Sequence, residues 1–300
     1  MYAVELLYHP TLHVPSLDDA DDFYRRVFGR PSTRLTVIMP TPPVPGHSND
    51  HSTFTLIGDV FLDSLDPQLY LTGGTRRYHD VELGRMTNPG GWYVEGVKEL
   101  YLRLREAGFR LVNARDELLD EPAWPGGMAP FYSHPDDAGL KYAFFETFPF
   151  PFDVRLQPGW VLPEIEDDDP LGVRFAAYHT ILTARPERAL SLLVDVLGGE
   201  VLSTGRDDLR GVSGPYVRLA DAIFHLATPD PGSDLAADPV HDTYHAITWR
   251  VADLEKAAKH LQAEGVRIQQ QSETTLVTDP ATSLGVPWGF TTAAINGDMR

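Results

Sequence analysis

The 300-residue sequence carries 25 Lys and Arg against 43 Asp and Glu, a formal net charge of −18, with 42% hydrophobic and 23% charged residues. So acidic a surface repels phosphate and argues against nucleic acid or an anionic membrane as partner, while the length and balance are those of globular proteins with a full core. With no cysteine in the chain, disulfides, thiolate metal sites and cysteine nucleophiles are excluded, so any transition metal must be held by His, Asp, Glu or Tyr.

The opening residues, MYAVELLYHP, lack a basic segment followed by an apolar run, and no stretch reaches the roughly 20 apolar residues that span a bilayer. A cytoplasmic protein is the expectation. Residues 4–14 read as a strand, with Tyr8, Leu12 and Val14 on one face and His9, Thr11 and His13 on the other. Pro10 removes a backbone donor, which places this strand at an edge or beside a bulge. Ser16 then caps a helix, SLDDADDFYRRVFG, whose acidic first turn and basic last turn suit the helix dipole. A strand is expected at 34–39, a Pro-rich loop after it, and a hairpin of strands 53–57 and 60–65 across Gly58-Asp59. The unit is therefore β-α-β-β-β.

A second unit starts near Trp92. Its helix carries Leu100, Leu102, Leu104 and Ala107 and ends at Gly108; a strand at 109–113, a long turn and a hairpin through HPDDAGLKY follow. Periodicity fails over 148–172, a Pro- and Asp-rich stretch read as a linker strapped over the surface by its aromatics, with the DDD at 167–169 as a solvated charge run. The third unit has a strand at 175–184, a helix at 188–197, a strand at 200–203 and a hairpin of 216–220 and 222–228. The fourth opens at YHAITWRVADLEKAAKHLQAEG and ends in TTLVTDPATSLGVPWGFTT. Four strand-turn-helix units of one design are an internal repeat.

Paired β-α-β-β-β units, carried by YHPTLHVPSLDDADDFYRRVFG, HPDDAGLKY, HAITWRVADLEKAAKHLQAEG and TDPATSLGV, resemble the vicinal oxygen chelate superfamily of glyoxalases, bleomycin-resistance proteins and extradiol dioxygenases. The resemblance implies an α+β fold of four βαβββ units paired into two glyoxalase-like domains with open mixed-sheet clefts, at 1–148 and 173–300, joined by 149–172. It also implies a divalent metal, iron, zinc or manganese alike, on inward residues of the first, fourth, fifth and eighth strands of a domain.

On that scheme His179 and His225 take the first- and fourth-strand positions of the C-terminal domain, and His245 is the natural third ligand. Alternation sets His245 beside Ile247, Trp249 and Val251, on the helix-packing side, unless a bulge turns it, and no Pro or Gly marks one. The eighth strand offers Pro287-Trp288-Gly289 where a Glu is expected. In the N-terminal domain His9, His13 and Asp63 are the corresponding candidates; Asn88 is a poor fifth-strand ligand and Glu146 lies three residues beyond Ala143. A buried His between apolar neighbours can equally be a satisfied core residue. His134 is expected to cap a turn, and His47 and His51 sit in the Pro-rich loop. Two functions follow from the resemblance: a metal-dependent dioxygenase, lyase or isomerase acting on a small organic, aromatic molecule, or a metal-free small-molecule binding protein of bleomycin-resistance type. The expected partner is a small-molecule ligand, with a homodimer open.

Overall fold

Pro10 decides how the chain begins. It cannot donate to a ladder, and the expected strand over 4–14 breaks there into Ala3–Leu7 and Thr11–His13, which enter different sheets. In the computed structural model, which describes residues 1–39, 45, 46, 48, 50–76, 86–88, 91–121, 130–147, 153–166, 168–236 and 242–300, Ala3–Leu7 runs antiparallel to Gly91–Glu95. Thr11–His13 pairs antiparallel with Met86–Asn88 and parallel with Val60–Leu65. The hairpin across Gly58-Asp59 forms as expected, and Ser32–Arg34 is its outer neighbour.

The second half repeats the scheme. Val173–Leu182 runs antiparallel to Thr243–Val251 and parallel to Ala222–Pro229, which leads through Val212–Leu219 to Glu200–Asp207. Thr243–Val251 in turn lies parallel to Gly289–Thr291, followed by Thr275–Thr278 and Ile268–Gln271. A bridge between Tyr244 and Met86 joins strands of the two halves into one 13-stranded mixed sheet, beside a five-stranded one. The result is the α+β architecture of βαβββ units that the repeat implied.

The helices cover one face of these sheets. Leu17–Phe23 starts on Ser16, whose hydroxyl accepts from Asp19 N, continues as a π turn over Tyr24–Phe28 and stops at Gly29 with φ 65°. Its Phe28 packs on Trp249, Trp288 and Phe290 at ring separations of about 6 Å. Trp92 meets Phe224 at 5.7 Å. The two halves therefore share one continuous apolar core, which includes Trp92, Tyr142, Phe144, Trp249 and Trp288.

Three local expectations change. Only Ser32–Arg34 of the region around 34–39 is strand, and Leu35–Ile38 is a helical turn, because the ladder with 53–55 ends at Arg34. Leu102 faces out at 54% exposure, since the helix Val97–Glu106 buries Val97, Leu100, Tyr101 and Leu104 instead. Asp169 is not solvated. It is buried, accepts from the backbone of Leu171 and Gly172, and pairs with Arg30.

The linker is held by a cation more than by aromatics. Arg155 and Asp153 have side chains only 1% and 0% exposed. Two guanidinium bonds of 2.9 and 2.7 Å reach the Asp153 carboxylate, and the other donors go to the carbonyls of Asp59, Leu7 and Tyr8. A buried charge left without its partner costs about 3–5 kcal/mol. Replacing Arg155 by Met should lower unfolding stability by about that amount in urea titrations, and adding Asp153→Asn should recover a substantial part. Full stability in the single variant would contradict this role.

Candidate functional site

Each half presents a second sheet face, opposite the helices, as the wall of a cleft. Strand register decides which side chains stand there. In the second half Thr180 pairs with His225 and Tyr178 with Thr248, and His225 pairs with Tyr216 on its other side. These residues share the cleft face. His179 is level with Phe224 and Ile247, both in the helix-packed core, and its Nδ1 shares a 2.5 Å hydrogen bond with the Tyr244 hydroxyl. Burial, with Arg300 adding to it, lowers its pKa to about 3. His179 is thus a neutral core histidine on the face away from His225.

His245 is turned by a bulge. The ladder steps from Thr180–Ala246 to Ile181–Tyr244 and skips it, so it reaches the wall of a cavity of about 500 Å³ beside Arg210 and Gln269. Here the expectation that a bulge needs a Pro or Gly marker is corrected. The bulge sits between the single pair Tyr244–Met86 and the run 248–250 paired with 289–291 on the strand's other side, so its neighbours and no Pro or Gly set it. The three C-terminal histidines therefore do not converge.

What fills the second cleft is a cation of the chain itself. Arg210 and Asp207 have side chains 3% and 5% exposed and pair at 2.7 Å. Arg210 also donates to the Pro287 carbonyl, and the Tyr178 hydroxyl donates to Asp207 at 3.2 Å. Burial works to raise the Asp207 pKa, but Arg210 holds it below the usual carboxylate value. Gly289 occupies the eighth-strand position level with Thr248. A Cβ there would come within 2.4 Å of Thr248 Oγ1 and 2.9 Å of Arg210 Nη2. The guanidinium stands where a carboxylate side chain from that strand would extend.

The first cleft has a different polar centre. Thr11 pairs with Asp63 and His13 with Leu65, so Thr11, His13 and Asp63 share a face. Thr11 Oγ1 donates to Asp63 Oδ2 at 3.3 Å, and His9 Nδ1 lies 3.9 Å from the same oxygen, too far to bond. His9 Nδ1 and Asp63 Oδ1 are both buried without a hydrogen bond. Rings enclose them: Tyr8 touches His9, Tyr93 and Phe145, and Phe54 meets His9 edge-on. Burial raises Asp63 to about 7, against the pull of the Ser52 and Thr11 hydroxyls, and lowers His9 to about 3, with Arg155 adding to the effect. His13 falls to about 4 by burial. Arg155 closes this cleft as Arg210 closes the other, with Tyr93 OH 3.4 Å from Asp153.

The remaining candidates do structural work. Both oxygens of Glu146 accept from backbone, from Gly96 N and Val97 N, so it caps the helix Val97–Glu106, whose own N-cap is a glycine with φ 74°. His134 accepts from Asp136 N and caps its turn as expected. His51 stacks on Tyr70, Asn88 stands opposite Thr11 in the ladder, and His47 lies outside the described residues. Sequence reasoning passed over Arg155, Arg210 and their aspartates. The only signals were the short Asp-to-Arg spacings in FDVRL and DDLRG.

A divalent ion needs at least three N or O ligands around one point. Among the described residues no three His, Asp or Glu side chains are so grouped, and in each cleft a guanidinium already supplies positive charge. Among the described residues the donor set does not fit the metal that the fold implied. Among the described residues no helix is long and apolar enough to cross a membrane.

No family model matches the sequence, and no curated protein is similar to it. Solved structures share its fold. The 2,3-dioxygenase LapB from Pseudomonas sp. KL28 is 12% identical over 99% of this chain and 95% of its own, with a TM-score of 0.58. The Mn(II)-bound glyoxalase from Novosphingobium aromaticivorans is 13% identical over 100% and 86%, at 0.57. A mutant 4-hydroxymandelate synthase from Streptomyces coelicolor is 13% identical over 98% and 95%, at 0.60. At such identities the likeness is one of fold.

The Asp63 pKa, raised in the folded state from 3.8 to about 7, fixes a sign. The fold favours protonated Asp63, so this group's contribution is complete below about pH 4 and is lost as pH rises to about 7. Asp63→Asn removes that loss. Its melting temperature relative to the parent should climb between pH 4 and 8, by an energy on the order of a few kcal/mol. A difference that stays flat across that range would refute the assignment.

Proposed function

Taking the vicinal oxygen chelate fold as the premise, we propose that this chain binds a small aromatic molecule with a polar head in its first cleft, without a divalent metal. The observation that carries the reading is the gap between His9 and Asp63. His9 Nδ1 and Asp63 Oδ1 are buried without partners, His9 Nδ1 lies 3.9 Å from the other carboxylate oxygen, and Tyr8, Phe54, Tyr93 and Phe145 ring the pair. Buried polar groups in native proteins are nearly always bonded, so a ligand hydroxyl placed between the imidazole and the carboxylate would supply the missing partners. Rings against rings would supply the apolar part of the affinity.

At neutral pH Asp63 is poised between its two forms and His9 is unprotonated. The pair can exchange a hydrogen bond with a bound hydroxyl in either sense. The reading extends to organisation: residues 1–148 and 173–300 as two tandem domains, with 149–172 as the strap that lodges Arg155 in the first cleft.

The second reading is the metal-dependent enzyme. It is favoured by the shared cleft face of His13 and Asp63 and by the Mn(II)-bound glyoxalase of like fold. One experiment separates them. In buffer with a chelator, phenol and related hydroxylated aromatics should raise the melting temperature of the parent, and His9→Ala or Asp63→Ala should abolish the rise. Calorimetric titration with manganese, iron or zinc should show no tight site. If phenol stabilises the protein only after one of these ions is added, the metal-dependent reading replaces the present one.

A further inference from the structure

The second cleft holds a concentration of unsatisfied polar atoms. His225 Nδ1 and Nε2, Thr180 Oγ1, Thr248 Oγ1 and Arg210 Nε are all buried without a well-formed hydrogen bond, the backbone of Gly205 near His225 and the Tyr178 hydroxyl near Thr248 being their only weak partners among the described residues. Register places the first three residues on one face of three adjacent strands. The position of Gly289 places the Arg210 guanidinium against Thr248. Each such group is destabilising while it stays unpaired. The closed arrangement is therefore expensive at one place.

A second, independent observation shows what keeps it closed. Residues 292–300 form no helix or strand, yet they cross the mouth of this cleft. Ile295 packs on Ala177, Tyr178, Tyr216 and Ile223. Arg300 fastens the end of the strap, donating to the carbonyls of Ala176, Ala177 and Asp221 and lying 4.7 Å from the Phe175 ring. Beneath the strap is a cavity of about 370 Å³, bounded by Tyr178, Asp207 and Tyr216. Tyr216 separates it from the unpaired atoms by stacking on His225 at 4.2 Å.

We propose that the second cleft is a binding site for a neutral amphiphile with a carboxamide-like head and a compact apolar body, and that residues 292–300 are the strap that shuts it. The apolar body takes the place of Ile295 in the cavity, and the head reaches the floor once Tyr216 swings off His225. Charge selects the head. Asp207 and Arg210 neutralise each other, and a neutral imidazole adds nothing, so an ionic head would be buried without a counter-ion and is disfavoured. Hydrogen-bond capacity narrows it further. Arg210 Nε only donates, the threonines do either, and a neutral imidazole offers one donor and one acceptor. A group with both a carbonyl and an N–H can pair with donors and acceptors of this set together.

Benzamide and benzoate, nearly the same shape but differing in charge, provide the test. Benzamide binding to the full chain is followed by calorimetry, with the imidazole resonances of His225 reporting the place. Ile295→Ser, a change in the strap alone, should tighten benzamide binding about tenfold. Thr180→Val with Thr248→Val keeps shape and removes two partners; it should weaken binding about fivefold. His9→Ala, in the first cleft, should leave the benzamide-induced shifts of the His225 resonances unchanged, so this site can fail without the other. Equal affinity for benzoate, no effect of Ile295→Ser, or no benzamide binding by either protein would each overturn the proposal. A crystal of Ile295→Ser soaked in benzamide with only ordered water on the five atoms would overturn it too.

Discussion

A guanidinium cannot be buried alone. Taking it out of water costs several kcal/mol, recovered only when a carboxylate and further acceptors surround it. This chain meets that condition twice, with Arg155 on Asp153 and Arg210 on Asp207, and in each cleft a tyrosine hydroxyl completes the carboxylate. Much else depends on the two pairs. The first lodges the linker against the carbonyls of Leu7, Tyr8 and Asp59; the second fills the space an eighth-strand carboxylate would use. Each half of the repeat has arrived at the same device from a different segment, one from the linker and one from the turn before a strand. Each pair sets a buried positive charge beside its own carboxylate.

The faces of the strands are the second constraint. A shift of one residue moves a side chain to the other side of a sheet, and the central ladder of the second half contains three such shifts. The last of them brings His245 to a cavity wall, while the unshifted pairing of Thr180 with His225 leaves His179 on the face away from His225. The apolar run around His179 gives no sign of this, because the strand is buried on both faces and both faces are apolar. Its partner Tyr244, 65 residues later, is what marks it as a core histidine.

The architecture could be read from the residues themselves: repeated caps, closing glycines and apolar stripes gave four units and their order. Side-chain chemistry was harder. His13 and Asp63 do share a face, with His9 close by, since the pairing of Thr11–His13 with Val60–Leu65 is regular. Glu146 was misplaced because its role, capping a helix that lacks a polar N-cap residue, is set by a contact across 50 positions. Asp169 looked like part of a solvated run because Arg30 lies 139 positions away. Local composition reports what a residue prefers; partners brought by topology decide what it does.

Gly289 has a consequence for the history open to this protein. Any side chain at this position strikes both Thr248 and Arg210. A single substitution cannot place a carboxylate at this position, since the new side chain would meet the guanidinium. Losing Arg210 first leaves Asp207 buried without its partner. Each route passes through a damaged intermediate, so Gly289 and the Arg210–Asp207 pair hold one another in place.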